Sequence, residues 1–553
     1  MVEEKYKFWL EKTKNDKELH EELLKISDLP EEINDRLYKE LSFGTAGLRG
    51  KIGAGTNRMN VYTVARATAG FADYILNTDK SGAGKSNADK NSVCIAYDSR
   101  NMSDAFARLA AEIMSSKGVK VYLFDKLMPT PVLSFAVRKL RAGAGIVVTA
   151  SHNPKEYNGY KVYNSNGCQA TDDEAGKITG FIDKHDYFEK FTPKKELIEY
   201  IGDEILDDFI DAIYEYSLPF DKKYMPSIIY TPLNGTGLIP VEKIFKKIGI
   251  TDYTVVPEQK YPDGNFPTCP YPNPEFKEAL EKAIGTAEKN NAELIIASDP
   301  DADRTGVAFR EKNGEYRLLN GNEAGALLVY FILATKKAQN TIPDKPFIIS
   351  TIVTSPLPEK IAESFGVETI NVLTGFKYIG EAIDKNPDKN FVFGMEESIG
   401  YLVGTHARDK DSISAAIMFA EAACYYKSLG LSLSAALEFL YGKYGYYRSA
   451  LYAKYFEGEQ GMIFMADFMN KLRKNPFGKI CGKSVTEIKD YSLGLDGLPK
   501  SNVMVFKGDG FSLIARPSGT EPKLKFYLTA WDKHEKTSSE FVEKMTDFIK
   551  SKV

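Results

Sequence analysis

The sequence predicts an α/β chain of several domains, three of them variants of one unit and the fourth smaller and different. Three observations predict this. At 553 residues the chain is well past the roughly 250–300 at which a single core stops growing, so burial must be shared among several cores. Apolar, β-branched runs alternate with helical stretches in the order strand, helix, strand, helix, strand, three times over, which favours mainly parallel sheets covered by helices. The C-terminal stretch then abandons that order.

In the first unit the strands are Val93–Tyr97, Val119–Phe124 and Gly145–Thr149, separated by helices Ser103–Lys117 and Pro131–Lys139. The second has strand Ile228–Tyr230, a helix from Ile239, strand Tyr253–Val256, a helix from about Asn273 and strand Leu294–Ala297. The third runs through strand Phe347–Ser350, helix Leu357–Phe365, strand Val367–Val372, helix Phe376–Asp384 and strand Phe391–Phe393. Strands Val503–Phe506, Phe511–Ala515 and Leu524–Thr529 and a helix from about Lys536 make up the fourth domain. The expected domains are residues 1–205, 206–325, 326–445 and 446–553.

Composition narrows the function. With 72 basic and 76 acidic residues, a net charge of -4 gives no global field for nucleic acid or an anionic membrane, so any anion site is local. Five scattered cysteines lack the paired spacing of a zinc site or disulfide framework, as expected of a reducing compartment. The N-terminus is charged and Lys/Glu-rich, and no apolar run approaches the ~20 residues of a membrane span. The expectation is a soluble cytosolic protein with no nucleic-acid or membrane partner. Ser81-Gly82-Ala83-Gly84-Lys85-Ser86 looks like the end of a P-loop, but Asp79 stands where its first glycine belongs, and a solvated loop is expected. Gly44-Thr45-Ala46-Gly47-Leu48-Arg49-Gly50 follows a charged helical stretch; its glycines and arginine suit an anion.

A polar loop follows the third strand of every unit: Ser151-His152-Asn153-Pro154, Asp299-Pro300-Asp301-Ala302-Asp303-Arg304, and Gly394-Met395-Glu396-Glu397-Ser398-Ile399-Gly400. Open α/β sheets bind ligands beyond the carboxyl ends of their strands, and three unrelated turns would not be expected at one point of the unit. Asn153-Pro154 and Asn158-Gly159 read as turns. Asp299, Asp301 and Asp303 alternate, so an extended loop would point all three carboxylates to one side. Three clustered anions need a cation, and a hard divalent ion such as Mg²⁺ suits oxygen ligands; an EF-hand is excluded by Arg304 and Arg310 at its glycine and glutamate positions. Arg304 can neutralise residual charge or hold substrate.

Arg516-Pro517-Ser518-Gly519-Thr520 combines a guanidinium, two hydroxyls and a glycine that lets backbone N–H groups approach an anion, a phosphate cradle to which Lys525 can add charge. Glu396 and Ser398 offer an acceptor and a donor-acceptor suited to adjacent sugar hydroxyls. The parts fit phosphoryl transfer, which depends on positioning and charge neutralisation. Candidate proton carriers are His152, Lys161, Lys377 and His406.

These four ordered motifs resemble those of the α-D-phosphohexomutases over nearly the whole chain. The resemblance implies four domains around a central cleft: three repeated mixed α/β sheet domains and a smaller C-terminal α+β domain. It implies that Ser151 carries a phosphate, that Asp299, Asp301, Asp303 and that phosphate hold one Mg²⁺, and that the substrate is a sugar phosphate passing through a bisphosphate, which also serves as activator. By the same resemblance Arg516, Ser518, Gly519, Thr520 and Lys525 hold the phosphate not reacting, and Thr45 and Arg49 lie near the active serine. Lys161 matches an Asn-Gly-x-Lys element, Thr374, Gly375 and Lys377 a loop meeting the sugar, and His406 and Lys410 the segment after the sugar loop.

Glu396-Glu397-Ser398 resembles the glucose-handling pattern, which implies glucose 1-phosphate and glucose 6-phosphate with glucose 1,6-bisphosphate as intermediate. The 45–50 element and Asp299-Pro300-Asp301 instead resemble a branch that includes pentose-phosphate enzymes, and mannose phosphate stays an alternative. An aspartyl phosphatase using Asp299, or a silent sugar-phosphate binder, are the rival classes; the first leaves Ser151 without a task.

Overall fold

The computed structural model describes residues 2–44, 47–77, 89–456, 458–518 and 523–553. The P-loop-like segment 81–86 lies outside the described residues. The chain divides into two compact units, Met1–Leu318 with Gly400–Glu421, and Leu319–Ile399 with Ala422–Val553.

The first unit holds two sheets. Gly47–Lys51 (β1), Asp89–Tyr97 (β2), Lys120–Phe124 (β3), Ala142–Val148 (β4), Tyr157–Asn164 (β5) and Ile198–Ile201 (β6) line up in the order β1-β5-β4-β2-β3-β6. β2 is parallel to β3 and β4, whereas β5 is antiparallel to both β4 and β1. Ile228–Thr231 (β7), Tyr253–Val255 (β8), Leu294–Ser298 (β9), Thr305–Arg310 (β10) and Tyr316–Leu318 (β11) follow the order β11-β10-β9-β7-β8, again with a parallel centre and an antiparallel strand after the third member. The apolar runs that mark these strands are buried: Ile146, Val148, Ile295 and Ile296 are wholly inaccessible.

In the second unit Pro346–Thr351 (β12) pairs in parallel with Glu368–Val372 (β13) and Asn390–Glu396 (β14). In all three sheets the unit's first strand lies between its second and third. Strand Gly400–Val403 (β15) and the following segment belong to the first unit. Tyr446–Tyr455 (β16), Lys479–Ile480 (β17), Lys483–Asp490 (β18), Met504–Gly508 (β19), Phe511–Pro517 (β20) and Lys523–Asp532 (β21) form an antiparallel sheet ordered β16-β21-β20-β19-β18-β17. Helices Gly458–Lys474 and Glu535–Lys550 bury Met465, Met469, Phe541 and Met545 against its Phe506, Leu513 and Phe526.

Three short helices, Val2–Lys12, Lys17–Lys25 and Pro30–Leu37, close on Trp9, Leu23 and Leu37. They grip the chain after β1: Glu22 accepts from Ala54 N at 3.0 Å, and Asn57 N donates to Arg36 O at 2.9 Å.

The structure corrects three expectations. Asn158-Gly159 is no turn but the start of β5. Buried Asn158 satisfies its side chain on Asn101 O and Ser103 Oγ. A Cβ on Gly159 would lie 2.4 Å from Thr149 O, so the glycine serves close strand approach. The helix expected from Asn273 begins at Glu281, after a 3₁₀ turn at Lys277–Leu280, because Pro267, Pro270, Pro272 and Pro274 deny the preceding chain its helical bonds. The carboxylate loop after β9 is a tight turn with Ala302 at φ 51°, not an extended run.

Candidate active site

The serine loop begins where β4 ends. Ser151 is buried and left-handed, at φ 54°, a conformation that costs an L-residue about 1–2 kcal/mol. Its N–H donates to Thr149 Oγ1 at 2.8 Å, and its Oγ donates to Asp299 Oδ2 at 2.7 Å. His152 Nδ1 lies 3.1 Å from the same Oγ and 3.0 Å from Arg304 Nη1. A guanidinium can only donate, so Nδ1 is assigned as the acceptor. Burial, then Arg304 and Arg49, push this imidazole well below its usual pKa range, and it is neutral at pH 7.

The carboxylate loop begins where β9 ends. Asp299 Oδ1 accepts from the N–H groups of Asp303 and Arg304 at 3.1 and 3.0 Å, folding the loop back on its first residue. Pro300 presses on Gly235, where an added Cβ would meet backbone at 2.3 Å. The turn thus achieves by another route what alternation was expected to do: Asp299, Asp301 and Asp303 are buried, with one oxygen of each within 4.8 Å of the others. Asp301 Oδ1 and Asp303 Oδ1 are buried and make no hydrogen bond among the described residues. Orphaned carboxylate oxygens in an all-oxygen set fit a hard divalent cation such as Mg²⁺. Without one, burial and then Asp301 and Asp303 push the Asp299 carboxyl well above its usual range.

Cations crowd this cluster. Lys161, on β5, donates to Asp301 Oδ2 at 2.8 Å and lies 3.5 Å from Asp303 Oδ2. Lys410 Nζ lies 3.2 Å from that second oxygen. It is delivered by a segment anchored at both ends of the loop, where Gly400 bridges Arg304 and Ser412 N donates to Ala302 O. Burial works to raise Asp303, but Lys410, Lys161 and Arg304 outweigh it and hold the carboxylate well below its usual range. Burial likewise works to lower Lys161, yet Asp301 and Asp303 leave its pKa raised. In β1, Arg49 faces Gly159 and Gly47 faces Lys161, which puts Arg49 and Lys161 on one face.

The second unit gathers the other loops. Glu396 ends β14, and its Oε1 accepts from Gly375 N at 2.7 Å, tying it to the Thr374-Gly375 turn. Glu397 accepts from Thr351 Oγ1 at 3.1 Å, and burial with the neighbouring Glu396 pushes its carboxyl up to about 7. Lys377 is buried, with its ammonium 5.0 Å from the Tyr378 ring. Arg516 and Lys525 are directly opposite in β20 and β21. Two cations on one face of a pair repel unless an anion joins them, so alternation turns Lys525 toward Arg516. Ser518 N donates to Lys523 O at 2.7 Å. Gly519, Thr520 and Thr45 lie outside the described residues.

His406 is not drawn to the carboxylates by any hydrogen bond among the described residues. Its Nε2 pairs with Asp411 Oδ2 at 2.9 Å and its ring packs on Phe209 and Tyr216. Sequence reading missed three groups: Thr130, whose Oγ1 donates to Asp301 Oδ2 at 3.0 Å, and the buried pair Asp98 and Arg100 beside Ser151. The available signal was that Asp98-Ser99-Arg100 follows the first strand of its unit, the neighbour of β4.

Family models for the phosphoglucomutase/phosphomannomutase α/β/α domains I, II and III match residues 40–189, 207–314 and 320–444. A phosphoglucomutase of Staphylococcus epidermidis is 36% identical over 90% of this chain and 92% of its own. One from Staphylococcus haemolyticus is 37% identical over 89% of this chain and 90% of its own. Among solved structures, a phosphoglucomutase/phosphomannomutase family protein from Burkholderia thailandensis shares the fold at TM-score 0.68 and 19% identity, covering 92% of this chain and 97% of that one. Parafusin, a phosphoglucomutase of Paramecium, does so at 0.66 and 18%, covering 93% and 95%. The chain belongs to the phosphoglucomutase/phosphomannomutase family, the α-D-phosphohexomutases. It is accordingly an enzyme of phosphoryl transfer, an isomerase.

Proposed function

We propose that the enzyme interconverts α-D-glucose 1-phosphate and glucose 6-phosphate through a phosphate carried on Ser151, with glucose 1,6-bisphosphate as intermediate and activator. The observation that carries the proposal is the placement of Ser151 Oγ, 2.7 Å from Asp299 Oδ2 at the edge of a buried three-carboxylate cluster. In one half-reaction the P–Oγ bond of phosphoserine 151 breaks as a sugar hydroxyl oxygen bonds to phosphorus and its proton passes to a base. In the other, Ser151 Oγ bonds to the phosphorus of the opposite phosphate as its proton passes to a base, while the bond from that phosphorus to the sugar oxygen breaks and the departing sugar oxygen takes up a proton.

Asp299, Asp301, Asp303 and an oxygen of the Ser151 phosphate would hold one Mg²⁺, which would supply charge neutralisation for the transfer. Asp299 Oδ2, which accepts the Ser151 hydroxyl at 2.7 Å, is placed to take the serine proton, and His152 Nδ1 lies beside the same Oγ at 3.1 Å. Lys161, Lys410, Arg304 and Arg49 supply positive charge around the reacting phosphate, where the equatorial oxygens carry the transition-state charge. Glu396, Ser398, Thr374 and Gly375 recognise sugar hydroxyls, and Lys377 adds charge beside them. Arg516, Ser518, Gly519, Thr520 and Lys525 hold the phosphate that does not react, while Thr45 and His406 complete the substrate set.

Four domains over residues 1–205, 206–325, 326–445 and 446–553 belong to the same proposal, supported by the fall of each sheet within one span. So does a cytosolic location, supported by five free cysteines, four of them buried.

Rates on glucose 1-phosphate, mannose 1-phosphate and ribose 1-phosphate, with the matching bisphosphate supplied, test the substrate. Glucose 1-phosphate is expected to be fastest; faster turnover of ribose 1-phosphate would replace this reading with a phosphopentomutase. Mass spectrometry of the enzyme after exposure to the bisphosphate is expected to find phosphate on Ser151. Phosphate trapped on Asp299 with Ser151 unmodified would favour the phosphatase.

A further inference from the structure

Asp98 and Arg100 stand just beyond the carboxyl end of β2, and neither side chain is reachable by solvent. Between them they hold both backbone polar groups of Ser151. The Ser151 N–H donates to Thr149 Oγ1 at 2.8 Å, and that hydroxyl donates in turn to Asp98 Oδ2 at 2.6 Å. The Ser151 carbonyl accepts from Arg100 Nη2 at 2.5 Å. The same guanidinium donates to the carbonyls of Asn153, Pro154 and Tyr157, the last two at 2.9 and 3.1 Å. Asp98 Oδ1 is fixed by Arg100 N at 3.0 Å and Ser103 Oγ at 2.7 Å. Phe266, from the second sheet's β8–β9 connection, lies with its ring centroid 5.0 Å from the guanidinium carbon.

A buried ion pair is a poor source of stability, since apolar residues of similar volume often do as well. What this one supplies is geometry. A left-handed conformation persists at a non-glycine residue only where its surroundings over-determine it. Four carbonyl oxygens converging on one point call for donors in a fixed planar fork; arginine has five, whereas lysine has three on a single nitrogen.

We infer that Arg100, locked by Asp98, is a positioning residue that fixes the left-handed turn at Ser151 and so holds Oγ at Asp299. The inference rests on Ser151 being the phosphate carrier. Without the fork, residue 151 relaxes toward the ordinary backbone regions and Oγ turns away from the carboxylate loop. A misplacement of about 1 Å at a reacting atom is enough to cost about 100-fold in rate.

The test is Arg100→Lys, which keeps the charge and removes the fork, compared with the parent enzyme and Ser151→Ala. The measurements are kcat and KM, the single-turnover rate of phosphoryl transfer from glucose 1,6-bisphosphate to the enzyme, and the melting temperature. The expected result is a fall of about 100-fold in kcat and in the single-turnover rate, with KM unchanged. Thr149→Val cuts the link from Asp98 to the Ser151 N–H. It is expected to lower the same two rates, and it decides the question if Arg100→Lys does not fold. A parental single-turnover rate per folded molecule in either variant, whatever its melting temperature, overturns the inference. Turnover by Ser151→Ala overturns the assignment of the carrier instead.

Discussion

Glu421 is a carboxylic acid kept neutral by its surroundings. It lies buried on helix Ser412–Ser428 and, among the described residues, is bonded to Ser217 Oγ and to Leu218 N, the latter at 2.9 Å. Two neutral donors do not offset the cost of burying a charge, and burial pushes its pKa from 4.5 up to about 8. The folded state therefore keeps a proton that the unfolded chain gives up at about 4.5. Its contribution to stability is complete below that pH, falls as pH rises, and is gone above about 8, at a slope of at most about 1.4 kcal/mol per pH unit. Glu421→Gln is neutral at every pH. Its stability relative to the parent is expected to improve steadily from pH 5 to pH 8 in denaturant titrations; a constant difference would show that Glu421 is charged in the fold. Asp303 follows the opposite logic, because Lys410, Lys161 and Arg304 outweigh its burial and hold its carboxylate well below the usual range.

The strand after each phosphate-handling or metal-handling loop is where elements set the site. β5 returns antiparallel to β4, carries Lys161 to Asp301 and brings its first residues under the serine loop. That return needs Gly159, whose missing side chain admits Thr149 O. Gly159→Ala forces backbone apart, and overpacking of this kind typically costs ~1–3 kcal/mol. A lower melting temperature and a loss of turnover are expected together, since Ser151 and Lys161 both depend on the β4–β5 register; unchanged activity would separate the register from the chemistry. This strand also shows where legibility stops. β4 and β9 were readable because their β-branched runs are buried on both faces, and the loops after them because a buried run has no use for Ser-His-Asn or Asp-Pro-Asp in structural terms. β5 was not, because Asn158-Gly159 is the usual hairpin signal and only a long-range contact with Asn101 and Ser103 makes it strand. Arg100 was invisible for a like reason: Asp-Ser-Arg after a strand looks like any turn until topology lays β2 against β4. Glu396 was legible by composition, whereas its bond to Gly375 was not, because the two are joined only by the fold.

The whole molecule consists of two compact units, and a chain so built is not expected to unfold in one two-state step. Every candidate metal ligand lies in the first unit, the three carboxylates on the β9–β10 loop and Ser151 on the β4–β5 loop, while Arg516 and Lys525 lie in the second. Mg²⁺ that binds the folded carboxylates and not the unfolded chain stabilises only the unit that holds them, by about 2.7 kcal/mol when its concentration is 100 times Kd. Calorimetry is therefore expected to show two transitions, with Mg²⁺ raising one and leaving the other in place. Asp301→Asn removes one ligand and the carboxylate that the buried Lys161 ammonium donates to at 2.8 Å. It should abolish that shift, sharply reduce turnover and melt lower than the parent when both are stripped with a chelator, because one partner of a buried ion pair is lost. Arg516→Ala, in the other unit, should keep the full Mg²⁺ shift while raising KM for the sugar phosphate. A Mg²⁺ shift that survives Asp301→Asn undiminished would place the ion elsewhere and remove the metal from the proposed chemistry, while leaving Ser151 and its phosphate to be judged by the labelling experiment alone.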